Sequence, residues 1–74
     1  MTRPEILQAL RADVDVLAHA EEAAVLAALP GWDSLAILLV VSHCEQTHGR
    51  EVSGAQVRAC RTLGDLLDLL QSLS

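Results

Sequence analysis

The chain has 74 residues and a mass of 7.9 kDa, one small domain that buries only about 60% of the surface its unfolded form exposes and so leaves little room for a deep enzyme cleft. Five Lys and Arg against ten Asp and Glu give a net charge of −5, which is too few cations to neutralise a run of phosphates and excludes nucleic acid as a partner. A hydrophobic content of 51% excludes a disordered chain, and a single aromatic residue, Trp32, cannot build a stacking platform for single strands.

The first element opens at Thr2-Arg3-Pro4-Glu5. Thr2 is placed to cap a helix and Glu5 to reach back to it, a capping box, with Pro4 tolerated because first-turn N–H groups have no intrahelical acceptor. Ile6, Leu10, Val14 and Leu17 follow at steps of four, four and three. That spacing predicts one face of an amphipathic helix running to about Ala18. Residues 19–33 read as a partly ordered connection. The Ala-rich stretch Glu21 to Leu29 has helical propensity, Pro30-Gly31 ends it, and Val25, Leu26 and Leu29 are expected to cover the core. His19 and the Glu21-Glu22 pair are expected on the solvated surface.

The second helix starts at Trp32-Asp33-Ser34, with Asp33 or Ser34 as its N-cap, and runs from Leu35 to about His48, where Gly49 stops it. Ile37, Val40, Val41, Cys44 and His48 form a core face. Leu35, Leu38, Leu39 and Ser42 form a second stripe that a domain this small cannot also bury, so it is a candidate contact surface. Val52 anchors a turn. Residues 54–60 make a short helix at best, with Val57 and Cys60 inward. Thr62 and Asp65 repeat the capping logic, and Leu63, Leu66, Leu67, Leu70 and Leu73 give the last core face. No stretch alternates with period two. The expected fold is all-α, a single domain over residues 1–74 built as a small bundle of three main helices plus one short helix.

The longest unbroken apolar run, Leu35 to Val41, falls far short of the roughly 20 residues that span a bilayer. Glu5 and Gln8 stand where a secretory signal would be apolar. Cys44 and Cys60 have no metal-type spacing, and His43 and Cys44, being adjacent, point to different sides of a helix, so no metal site is expected. Two thiols do not make a disulfide framework; they read as small core hydrophobes of a protein in a reducing cytoplasm. The start at Met1 and the polar Ser74 lean toward a complete protein. Ser34 is not in a G-x-S-x-G segment and has no sheet to carry a nucleophile elbow, which argues against a hydrolytic triad.

Ser34 lies where a loop enters a helix. The free N–H groups and dipole of a helix start favour an anion, so a phosphoryl group on this hydroxyl would meet a favourable field. The same position suits a serine that only caps the helix.

Gly31-Trp32-Asp33-Ser34-Leu35 resembles the G-x-D-S-L attachment motif of the acyl carrier protein family. The resemblance extends over the whole chain: a first amphipathic helix, a long loop, the motif at a helix start, a short third helix, and a final segment, Arg61-Thr62-Leu63-Gly64-Asp65-Leu66-Leu67-Asp68-Leu69-Leu70, similar to the family's last helix. It implies an acyl-carrier-like bundle with no catalysis of its own. Ser34 would carry a covalent 4′-phosphopantetheine arm, installed by a phosphopantetheinyl transferase. Asp33 would help place magnesium and the serine, besides capping the helix. Leu35 would be the apolar contact beside the arm, and Trp32, at the variable position, would either shield the arm or cover the loop. The arm would hold acyl intermediates as thioesters and present them to a loading enzyme and downstream transferases, with no nucleic acid or membrane involved and the chain a monomer.

The family usually docks its partners through several acidic residues on the second helix, whereas here Glu45 is the single acid there. Docking is therefore expected on Leu35, Leu38, Leu39, Ser42 and Glu45, mostly apolar, by a dedicated partner in a specialised pathway of polyketide-like or other secondary-metabolite type. Peptidyl carriers more often have glycine where Trp32 stands, which favours acyl over aminoacyl cargo. A peptidyl or aminoacyl carrier and an unmodified helical interaction module are the alternatives.

Overall fold

The computed structural model describes residues 1–73. Four α-helices make up the chain: α1 (Arg3–Asp13), α2 (Ser34–His43), α3 (Gly54–Arg58) and α4 (Leu63–Leu73). Helix α2 continues into a π-helical turn, Cys44–His48. Short 3-10 turns lie at Asp15–Leu17 and Leu26–Ala28. Among the described residues the extended pairing is a single bridge, Val25 with Thr62. The fold is thus a small all-α bundle, in which α1 packs on α4 and α2, and α2 on α3. Its radius of gyration is 10.7 Å, close to the value of about 11 Å for a fully compact chain of this length.

The helix starts follow from side-chain capping. The Thr2 hydroxyl accepts from the Glu5 N–H while Glu5 accepts from the Thr2 N–H, and this reciprocal pairing satisfies two donors that the helix leaves open. Thr62 and Asp65 do the same for α4, where Asp65 also accepts from the Arg61 N–H. These backbone donors hold the Asp65 carboxyl below its usual range. A third capping box, Ser53 with Gln56, starts the short α3; the sequence reading passed over it.

One boundary differs from that expected, and one helix end differs in geometry. Helix α1 ends at Asp13 rather than near Ala18, because Val14 adopts an extended conformation (φ −124°, ψ 99°). The break keeps Val14 and Leu17 fully buried. It also brings Val16 to the loop, where its Cγ2 lies 3.2 Å from where a Cβ at Gly31 would stand. Helix α2 has the expected overall span, but its last turn widens to π geometry before Gly49 ends it in the left-handed region (φ 64°). The core gathers Ile6, Leu10, Val14 and Leu17 with Ile37, Val40, Cys44 and Val57 and the four leucines Leu63, Leu66, Leu67 and Leu70. Burial pushes the Cys44 thiol up to about 11. Cys60 is only partly buried against the core, and both cysteines are free thiols.

The connection from α1 to α2 is more ordered than its composition suggests. The N–H groups of Gly64 and Leu63 donate to the carbonyls of Glu22 and Ala24 at 2.8 and 3.0 Å, and the Leu26 N–H donates to Arg61 O at 2.9 Å. The loop is stitched to the corner between α3 and α4. Leu26 is buried and Leu29 packs on the core, but Val25 is turned outward by its bridge to Thr62 and is exposed. Glu22 is exposed as expected, but it is ion-paired. The Arg3 guanidinium donates to Glu22 at 2.9 Å, to Asp68 at 2.7 Å, to Gln71 at 2.6 Å and to Gly64 O at 3.1 Å, tying together α1, the loop and α4. His19 and Glu21 are exposed as expected.

Candidate functional site

The site is built from a turn, a cap and a helix start. Leu29 to Trp32 form a β-turn in which the Trp32 N–H donates to Leu29 O at 3.2 Å. Pro30 presets the first central residue and Gly31, at φ 84°, occupies the second, which is the type II pattern. A side chain at Gly31 would be strained by the positive φ and would press on Val16. Trp32 is half-buried and packs against the core.

Asp33 is the N-cap of α2. Its carboxylate accepts from the Ala36 N–H at 3.0 Å. That assignment leaves Ser34 as the first helical residue, exposed, with a hydroxyl that has no hydrogen-bond partner among the described residues. The choice between Asp33 and Ser34 as cap is thereby decided. By helix geometry the Ser34 and Leu35 N–H groups have no intrahelical acceptor, and both stand within the positive end of the helix dipole. A phosphodiester on the Ser34 oxygen would find solvent, room and two unused donors. The residues present therefore fit a phosphate-linked arm.

Along α2 the two stripes separate. Ala36, Ile37, Val40, His43 and Cys44 face the core. Leu35, Leu38 and Leu39 are 65%, 61% and 41% exposed, and Ser42 and Glu45 are exposed beside them. The structure thus puts Ser34 and the five expected docking residues on one outward face of one helix. Val41 and His48, expected in the core, are partly buried at its edge.

The burial of His43 was not foreseen. Its ring is fully enclosed, and its Nδ1 lies 2.6 Å from Asp13 Oδ2 at the end of α1. The partners are 30 positions apart, so no local spacing could have announced the pair. Among the described residues no three His, Cys, Asp or Glu side chains are arranged to hold a metal ion, and no helix is long and apolar enough to cross a membrane. Comparisons with protein-family models, with curated proteins and with solved structures found no match to this chain.

Proposed function

We propose that the chain is a carrier domain that takes 4′-phosphopantetheine on Ser34 and presents acyl thioesters to biosynthetic enzymes. One observation carries the reading: within Gly31-Trp32-Asp33-Ser34-Leu35 the serine hydroxyl is exposed and unbonded at the first position of a helix whose cap is the neighbouring aspartate. In the attachment reaction the Ser34 oxygen attacks the coenzyme A pyrophosphate. A P–O bond to serine forms, the phosphoanhydride bond breaks, adenosine 3′,5′-bisphosphate leaves, and the serine proton passes to a base of the transferase. Asp33, whose Oδ1 caps the helix, would help hold the magnesium that supplies charge neutralisation in that step. Once attached, the arm supplies a thiol on a long flexible tether. Tethering raises the concentration of a bound acyl group at a docked active site.

The reading includes a cytoplasmic setting, supported by two free thiols, and a dedicated partner in a specialised, polyketide-like pathway, supported by the single acid on the exposed face of α2. Incubating the protein with coenzyme A, magnesium and a broad-specificity phosphopantetheinyl transferase should raise its intact mass by one phosphopantetheine. A folded protein that gains nothing overturns the carrier reading. The result would then favour an unmodified interaction module, for which the exposed Leu35, Leu38 and Leu39 also speak. Identifying the thioester on protein isolated from its host separates acyl from aminoacyl cargo.

Docking should rest on apolar contact. Leu39→Glu is expected to weaken acyl transfer by the native partner on the order of tenfold, the effect of losing 1–2 kcal/mol of apolar burial, with an unchanged helical circular dichroism spectrum. Transfer at the parental rate would remove these leucines from the interface.

A further inference from the structure

Three histidines occur in the chain, and two of them meet at the end of α2 opposite Ser34. The ionised Asp13 carboxylate can only accept, so His43 Nδ1 at 2.6 Å must carry its hydrogen and donate. That fixes the tautomer of the neutral ring and leaves Nε2 as a bare lone pair. His43 Nε2 and His48 Nε2 are both buried with no partner among the described residues. The two rings meet edge to face, with centroids 5.7 Å apart and planes at 75°. Four other groups bear on the pair. Asp13 comes from α1. Thr47 Oγ1 sits 3.4 Å from His43 Nδ1. The α-amino group of Met1 adds positive charge near His48, and the Cys44 thiol stays protonated.

A second proton on either ring would create a buried N–H with no acceptor. For His48, burial, then the neighbouring His43 ring, which would repel a second charge if it were protonated, then the N-terminal ammonium hold proton affinity below the ordinary histidine value. The surrounding backbone can yield. The π turn closes through the Gly49 N–H donating to Glu45 O at 3.1 Å and the Arg50 N–H donating to Cys44 O at 3.4 Å. Opening that turn would hydrate an imidazolium without disturbing the leucine core.

We propose that Asp13, His43 and His48 form an acid-released latch: at neutral pH the packed rings tie the end of α2 to the end of α1, and proton uptake at His48 frees the turn 44–48. Because the closed state binds a proton at His48 less readily than the open one, the latch is at full strength above the ordinary histidine value of 6.5. It weakens as pH falls through that value. This inference does not depend on the carrier reading, although the turn it invokes contains Glu45, one of the docking residues of that reading.

A nuclear magnetic resonance titration of the whole chain from about pH 8 to about pH 5 tests it. Ring nitrogen shifts should give His43 as the Nδ1–H tautomer and His48 titrating below the ordinary histidine value of 6.5. Amide exchange of residues 44–49, corrected for intrinsic rates and taken relative to α4, should rise with acid by up to about tenfold per pH unit, the limit for one proton taken up on opening. His48→Gln should remove that rise. An Nε2–H tautomer at His43, His48 titrating at or above the ordinary histidine value, exchange in 44–49 that tracks α4, or a rise that persists in His48→Gln would each overturn the proposal.

Discussion

Ser34→Ala is expected to abolish attachment of the arm while leaving the stability of the fold within about 0.5 kcal/mol of the parent. The first half follows from the chemistry, since alanine has no oxygen to phosphorylate. The second half follows from the cap assignment. Asp33, not Ser34, accepts from the Ala36 N–H, and alanine at the first helical position costs no cap and has the best helix propensity. Asp33→Ala should show the opposite pattern in urea unfolding, a loss of about 1 kcal/mol, as for other caps. Should Ser34→Ala lose as much as Asp33→Ala, the serine is a structural group. Should it still gain the mass of the arm, attachment lies elsewhere.

Leu66→Ala should remove a large share of the stability of the fold. Leu66 is fully buried among Leu63, Leu67, Leu70 and the α1 face, and truncating such a leucine costs about 2–5 kcal/mol, including the cavity it leaves. A chain of 74 residues has in total about 4–11 kcal/mol at typical stabilities per residue. The loss is therefore a large share of the whole, and a domain this small has no second core to absorb it. Urea unfolding followed by circular dichroism checks this. A loss under about 1 kcal/mol would mean that α4 does not carry the core.

What was legible in the sequence is what is local. Thr2 with Glu5 and Thr62 with Asp65 announce helix starts because capping partners are three positions apart. The leucines of α4 announce a buried face because polar residues separate them. Gly31 announces a turn because its neighbour is Pro30. Helix α2 is different. It is apolar on every side from Leu35 to Val41, so periodicity could show that two stripes exist but not that His43 and Ala36 would be the buried residues. The Arg3 cluster, the Asp13–His43 pair and the backbone bonds from Glu22 and Ala24 join residues remote in sequence. Such contacts leave no trace in spacing. They also explain why α1 stops early, since the turn at Val14 is favoured by packing and not by any breaker residue. The candidate site was legible for the same reason as the caps: all of Gly31 to Leu35 is contiguous. The outward stripe of Leu35, Leu38, Leu39 and Ser42 was legible too, because one helix of so small a domain cannot bury two apolar faces.

The seam between the loop and the α3–α4 corner has a kinetic consequence. Its backbone bonds join the two halves of the chain, so their loop-closure entropy must be met before they form. Apart from this seam, residues 22–31, which carry the turn before Ser34, have only local turn bonds such as those from Ala28 to Val25 and from Trp32 to Leu29. During refolding they should gain amide protection no earlier than the start of α4, which pulsed deuterium labelling can time; earlier protection would show that the turn assembles alone. A ribosome-bound chain lacking α4 would by this account display the five-residue segment around Ser34 without the rigid platform on which a modifying enzyme would meet it.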